Sequence, residues 1–438
     1  MKVGILGTGH VGLVNAACFA HIGHDVVAVD RLPEKIDGLR RGIMPFFEPG
    51  LAELVETGKS SGRLRFCHGI EDAIRDADAV FICVGTPAKP SGEADLSQVE
   101  RVAHELATHL NGRYVALVEK STVPVTTGRR LSETLRMLGV HEIDVVSNPE
   151  FLREGSAVVD TLDPDRIVIG SDSERATNIL LDLYRPITEQ SSCKVVVTDV
   201  PTAELIKHAS NAFLATKISF INAVADICEA TGGDVETVAA GIGLDSRIAA
   251  SFLDAGLGYG GSCFPKDIAA FAALADQVGC NFDLLREVQK INAERPIRLV
   301  NKLRALLWRL KDKRIAVLGL AFKPGTDDLR EASSIAVIRQ LLEEGATVVA
   351  YDPVAMPAAK EVLPSSVTMS ASALEAMTGA DAAVFVTEWR EFAALDPAEM
   401  KAALKFPIVL DGRNLFALET MRGHGLTYVS VGRATVET

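Results

Sequence analysis

The chain has 438 residues, 48% hydrophobic and 24% charged, and a formal net charge of −13. That length exceeds one ordinary core and predicts two or three domains, while the composition excludes disordered and fibrous classes. The acidic balance argues against a general nucleic-acid or anionic-membrane surface, since both would want a basic face.

No apolar run reaches the ~18–20 residues of a membrane span. The start "MKVGILGTGHVG" reads as a glycine-broken strand, not a signal peptide. Seven cysteines include no C-x-x-C pair, so neither a disulfide framework nor a zinc site is expected, and a cytoplasmic location fits best.

Residues 1–200 alternate short apolar runs with helical segments. "KVGIL", "DVVAVD", "AVFICVG", "YVALVEK", "DVVS" and "RIVIGS" predict buried strands of a mostly parallel, doubly wound α/β sheet. Residues 201–311 change to a helical texture, opening with "TAELIKHASNAFLATKISFINAVADICEATG". Such an amphipathic connector either supplies a dimer surface or packs the flanking domains, and its pattern leaves both open. Strands return over 312–438 in "RIAVLGL", "ATVVAYD", "AAVFVTEW" and "PIVLDGR", predicting a second, smaller α/β domain.

"GTGHVG" at 7–12 is G-x-G-x-x-G between a strand and a helix. Gly7 allows the tight turn, Gly9 lets a pyrophosphate approach, and Gly12 lets helix pack on strand. Asp30 ends the next strand, where a carboxylate accepts from a ribose and repels a 2′-phosphate, favouring NAD over NADP. Arg31 beside it would soften that preference. Thr86 and Thr122 lie at further strand ends, where open parallel sheets bind ligands. The second α/β domain lacks the fingerprint and puts Phe322 and Lys323 after its first strand. Lys323, Arg330 and Arg413 are its candidate phosphate-binding cations.

Lys207 and Asn211 are four apart on the connector helix and share a face, where together they can donate to a developing oxyanion. "GYGGSCFPKD" at 258–267 sets a thiol behind glycines that would let a ligand approach. It also predicts a helix start, with Ser262 as N-cap and Pro265 in the first turn. The helix dipole and Lys266 would favour the Cys263 thiolate, and Asp267 shares its face. Glu150 and Glu154 repeat the four-residue spacing after "DVVS". With a nicotinamide cofactor these groups suit oxidation of an alcohol to an aldehyde, capture by a thiolate, loss of a second hydride and hydrolysis to an acid.

The set "GTGHVG", "FEPGL", "GTP", "EKSTVP", "NPEFLREG", "KHASN", "GYGGSCFPKD", "FKPGTDDLREA" and "DGRN" spans the chain. It resembles the UDP-glucose 6-dehydrogenases within the nucleotide-sugar dehydrogenase family. The resemblance implies two Rossmann-like domains joined by a helical connector domain, and an NAD-dependent, four-electron oxidation of UDP-glucose to UDP-glucuronate in a homodimer or higher homo-oligomer. It makes Cys263 the nucleophile and Lys207 the oxyanion stabiliser. Asp267 and Thr122 position a water, and Glu150 is the base for hydrolysis. His10, Val11, Lys35, Thr86, Glu154, Lys266 and Arg330 join Gly7, Gly9, Gly12, Asp30 and Thr122 around the cofactor. Glu150, Phe151, Leu152, Asn211, Phe252, Leu253, Tyr259, Gly260, Lys323 and Arg413 join Lys207 around the UDP-sugar, and Arg247 reaches a neighbouring subunit's site.

Sister enzymes of the family oxidise GDP-mannose or N-acetylated UDP-hexosamines. Ser262 stands where the N-acetylated branch tends to carry histidine and Phe264 where the GDP-mannose branch tends to carry leucine, while Asp254 departs from the family's usual neutral or basic residue. Rivals from other classes fare worse. No tyrosine has a lysine four positions later, as a short-chain epimerase requires. A β-hydroxyacid dehydrogenase has no use for Cys263, and a nucleotide sensor has no reason to keep thiol, lysine and aspartate together.

Overall fold

In the computed structural model, which describes residues 1–110 and 112–437, two sheets, the first mostly and the second wholly parallel, account for all the described strands. The first contains β1 (Lys2–Leu6), β2 (Asp25–Val29), β3 (Leu64–Cys67), β4 (Ala79–Ile82), β5 (Val115–Glu119), β6 (Ile143–Ser147), β7 (Arg166–Gly170) and β8 (Lys194–Thr198). Their order is β3-β2-β1-β4-β5-β6-β7-β8. Only the β6–β7 contact, Ser147 opposite Gly170, is antiparallel. Helices cover both faces, so the central strands are apolar on each side. Phe81 of β4 packs into one core with Phe19 and Ile5, whereas its neighbours Val80 and Ile82 pack into the other with Leu117 and Leu106.

The second sheet contains β9 (Arg314–Leu318), β10 (Thr347–Tyr351), β11 (Thr368–Met369), β12 (Ala382–Phe385), β13 (Ile408–Asp411) and β14 (Thr427–Val429), in the order β11-β10-β9-β12-β13-β14. Counted within each sheet, this repeats the order of the first six strands of the first, the 3-2-1-4-5-6 arrangement of dinucleotide-binding folds. Both halves are thus doubly wound, as the alternation of strand and helix predicts.

Between the sheets the chain is helical, with long helices at Val200–Thr231, Phe264–Gln277 and Asp283–Leu307. Contacts divide the molecule into two compact units, residues 1–210 with 269–280, and residues 211–268 with 281–438. The division falls inside the helix Val200–Thr231. Within the second unit, buried Arg295 forks onto Asp226 at 2.9 Å and ties two of these helices together. Among the described residues no helix is long and apolar enough to cross a membrane, and no cluster of side chains could hold a metal ion.

Candidate active site

In the first unit the glycine fingerprint has the geometry its spacing requires. Gly7 has φ of +99°, and a Cβ there would lie 2.7 Å from the Cys83 carbonyl oxygen. A Cβ on Gly12 would lie 1.9 Å from the Gly7 oxygen, so this helix cannot sit so close with any other residue. Gly9, by contrast, faces open space. Asp30 ends β2's turn, and its Oδ2 accepts from Thr8 N at 2.8 Å, Thr8 Oγ1 at 2.9 Å and Lys35 Nζ at 3.0 Å. Burial opposes its ionisation, yet the Thr8 amide and the Lys35 ammonium outweigh burial and hold the carboxyl below its ordinary range. A cavity of about 290 Å³ is lined by Gly7, Gly9, Asp30, Arg31, Lys35 and Arg101, among others. These residues fit the adenosine and pyrophosphate of a dinucleotide, with Val11 next to His10 in the first turn of the helix that follows.

His10 has a further attachment. Its ring stacks on Phe46 at 4.6 Å, and Nε2 lies 2.9 Å from Glu48 of "FEPGL". The buried Glu48 carboxylate accepts from Gly155 N and Ala157 N, each at 2.8 Å. Glu48 therefore joins the fingerprint to the segment after β6. That segment, 148–155, is irregular, and both Glu150 and Glu154 are buried within it. A helical spacing with a solvated face does not describe them. Glu150 Oε1 pairs with buried Lys207 Nζ at 2.9 Å and Oε2 accepts from Leu152 N at 2.6 Å, while the Phe151 ring lies 5.5 Å from the same ammonium. Thr86 Oγ1 donates to the Thr122 carbonyl at 2.8 Å, so the two strand-end threonines are directly joined.

Behind Glu150 lies a fully buried lysine that the motifs leave without a role. Lys120 donates to Asn148 Oδ1 at 3.0 Å and to the Tyr184 hydroxyl oxygen at 3.2 Å. Burial lowers its pKa to about 8, with Cys83 and Glu150 opposing the shift and Lys207 adding to it. Its neighbour Glu119 is also buried, and burial, with the charge of Glu204 added, pushes it well above the usual carboxylate range. Both residues pack behind the strand end that leads into Thr122.

In the second unit Cys263 immediately precedes the helix Phe264–Gln277, and its carbonyl accepts from Asp267 N at 2.8 Å. Cys263 itself, not Ser262, therefore occupies the N-cap position; Ser262 Oγ lies 3.5 Å from the sulfur. Asp267, one turn on, is buried. Its Oδ2 accepts from Asn211 Nδ2 and its Oδ1 from Lys266 Nζ, both at 2.7 Å. Asn211 and Lys266 thus converge on the carboxylate that follows the thiol by one helical turn.

The glycines before Cys263 serve packing more than open access. A Cβ on Gly258 would lie 2.2 Å from Asn292 Oδ1, one on Gly260 2.3 Å from the Glu331 oxygen, and one on Gly261 2.7 Å from the Phe322 ring. Gly258 thus lies against the helix Asp283–Leu307, while Gly260 and Gly261 let the thiol loop press against the 322–331 loop, sealed by Gly261 N donating to Arg330 O at 2.9 Å. Phe252 and Tyr259 pack their rings on Phe264 beside the thiol, with Leu253 buried next to them. Lys323 sits in the 322–331 loop over the Phe322 ring, and Arg330 forks onto Asp328. Arg413 donates to Val386 O and Gly258 O, and its loop is fixed by Asp411, which accepts from Arg413 N, Leu415 N and the Tyr428 hydroxyl. Arg247 is exposed and forks onto Asp245.

At the end of β10, Asp352 occupies the counterpart of Asp30. Its Oδ2 accepts from Leu320 N, Ala321 N and the Trp389 indole N–H. Both acids accept from their own loops; what differs is the third donor, the Trp389 ring at Asp352 where Asp30 has the Lys35 ammonium.

Three family models match along the chain: the UDP-glucose/GDP-mannose dehydrogenase family's NAD binding domain over residues 1–188, its central domain over 201–294 and its UDP binding domain over 316–417. The chain belongs to the UDP-glucose/GDP-mannose dehydrogenase family. It is a dehydrogenase, and its cofactor is NAD. The UDP-glucose 6-dehydrogenase TuaD of Bacillus subtilis is 46% identical over 437 residues, covering 99% of this chain and 94% of that protein. The UDP-glucose 6-dehydrogenase of Rhizobium meliloti is 45% identical over 438 residues, covering 99% and 100%. The solved UDP-glucose dehydrogenase of Pyrobaculum islandicum superposes with a TM-score of 0.92 at 40% identity, covering 99% of this chain and 98% of that one. Within this family fold the expected residues divide between the units. Those of the fingerprint, with Lys35, Thr86, Thr122, Glu150 to Leu152, Glu154 and Lys207, belong to the first. Asn211, Arg247, Phe252, Leu253, Tyr259, Gly260, Cys263, Lys266, Asp267, Lys323, Arg330 and Arg413 belong to the second.

Proposed function

We propose that the chain oxidises UDP-glucose at C6 to UDP-glucuronate, in four electrons, through a thioester on Cys263. The observation that carries this reading is the buried Asp267, held by Asn211 and Lys266 one turn from the thiol. NAD, when bound, accepts one hydride in each of two successive oxidations. Glu150, paired with Lys207, takes the alcohol and water protons. The Cys263 sulfur adds to the aldehyde carbon, the carbonyl electrons move to oxygen, and the Lys207 ammonium stabilises the resulting oxyanion. Loss of the second hydride leaves the thioester. Thr122 and Asp267 position a water, which attacks; the C–S bond then breaks and the thiolate leaves with its electron pair. The relatives' names favour UDP-glucose over GDP-mannose and the N-acetylated sugars, as do Ser262 and Phe264.

The division of labour follows residues 1–200 for NAD, 201–311 for the thiol and lysine, and 312–438 for UDP. Phe213, Phe220 and Ile227 recur every seven residues on the helix Val200–Thr231 and are all exposed, which supports a homodimer built on this stripe. Seven free cysteines, one of them exposed, fit a reducing cytoplasm.

The test is stoichiometry with variants. Wild-type enzyme yields two NADH per UDP-glucuronate with little free aldehyde. Cys263→Ser stalls as a covalent adduct visible by intact-protein mass spectrometry, because an alkoxide leaves poorly. Cys263→Ala binds both ligands and makes no acid; acid at the wild-type rate from that variant would sink the covalent mechanism.

A further inference from the structure

Glu204 lies three residues before Lys207 on the helix Val200–Thr231 and is buried. Its carboxylate reaches the segment between Thr122 and the next helix, Thr127–Met137. Oε2 accepts from Thr126 N at 2.6 Å and Oε1 from Gly128 N at 2.8 Å. One turn along, His208 Nε2 meets the Val123 carbonyl oxygen at 2.7 Å. The two helices are close enough that a Cβ on Gly128 would lie 2.6 Å from Val200 Cγ1.

Thr126 itself has φ of +81°, in the left-handed region that a β-branched residue avoids. Such a conformation persists only where surrounding groups hold it, and the carboxylate that takes the Thr126 N–H is the group placed to do so. Positions 204, 207 and 208 form one stripe of the helix. Its middle member holds Glu150, and the outer two hold the Thr122–Gly128 segment.

We propose that Glu204 is a positioning residue for thioester hydrolysis: by fixing the strained turn at Thr126 it sets Thr122 where a water is ordered. The inference rests on the covalent reading above. A plain helix cap would contribute stability and affect every step alike. A positioning group acts on the step that uses Thr122 and spares aldehyde capture, because Cys263 and Lys207 keep their own attachments.

The experiment is rapid mixing of Glu204→Gln with saturating NAD and UDP-glucose, following NADH and quenching for intact mass. An amide can accept only one of the two N–H groups and turns its own donors toward the other. The expected result is NADH formed at about the wild-type rate up to two per site, then turnover slower by roughly tenfold or more, with acylated Cys263 accumulating. Glu204→Asp keeps the charge but is one methylene short; it is expected to fall between, and it is read the same way if the glutamine variant does not fold. Equal loss in both phases, or unchanged hydrolysis, overturns the proposal. Acid made by Cys263→Ala would instead overturn the covalent reading on which it rests.

Discussion

Glu204 connects charge to stability with a definite sign. Burial, opposed by the Gly128 and Thr126 amides, raises its pKa from 4.5 to about 7. The folded protein therefore holds this proton more tightly than the unfolded chain does. Between these two values stability falls as pH rises, and it levels off above the higher one. At about 1.4 kcal/mol per unit the effect is on the order of 3 kcal/mol. The nearby groups are Glu119, whose charge would push in the same direction, and Arg129, which opposes it. Thermal unfolding of wild type and Glu204→Gln from pH 5 to 8 checks this. Wild type is expected to lose Tm relative to the variant as pH rises; parallel curves would mean that Glu204 does not titrate there. Legibility at this scale followed partner type. Cys263, Asp267 and Lys207 are readable because thiol, carboxylate and ammonium at helical spacing imply chemistry. Glu204 and Glu48 bind backbone amides of remote segments, and no residue type in the sequence marks such a partner.

The glycine fingerprint offers the sharpest test among the elements. Gly12→Ala would drive a methyl into the Gly7 carbonyl, so the helix His10–His21 must move off β1 and open the turn that receives a pyrophosphate. Affinity for NAD, measured by calorimetry, is expected to fall by at least tenfold while UDP affinity, which belongs to the other α/β half, stays within about twofold. A matched loss of both would point to general unfolding. The ten strands read from the sequence carry apolar runs that end in turn signals, although β8, with Val195 to Val197, carries such a run as well. The four that were not, β3, β8, β11 and β14, are the edges of the two sheets. An edge strand has a neighbour on one side only and less cover from helices: β8 has no fully buried residue and β11 is two residues long. Neither carries the buried run by which inner strands are recognised. The 148–155 segment was unreadable for another reason. Two glutamates four apart imitate a helix face, and only tertiary burial shows them to be in a loop.

For the whole molecule, the exposed stripe of Phe213, Phe220 and Ile227 sets the expectation for assembly. Phe220→Glu places a charge at its centre, and a desolvated, unpaired carboxylate costs several kcal/mol at an interface. Sedimentation is expected to show wild type as a dimer and the variant as a monomer at micromolar concentration; an unchanged sedimentation coefficient would remove the stripe from the interface. The two-unit division was not readable from residue types, because it cuts a continuous helix whose local pattern does not change at the cut.

The hydrogen bond from Trp389 to Asp352 gives the chain an optical property. It has two indoles, and they stand in opposite surroundings: Trp308 is almost fully exposed, while Trp389 is partly enclosed and bonded to a carboxylate in the half assigned to UDP. A small aqueous quencher reaches the first far more readily than the second. Emission that survives the quencher then comes mainly from the ring beside Asp352, so the surroundings of that one carboxylate can be followed by intrinsic fluorescence, without a label and without turnover.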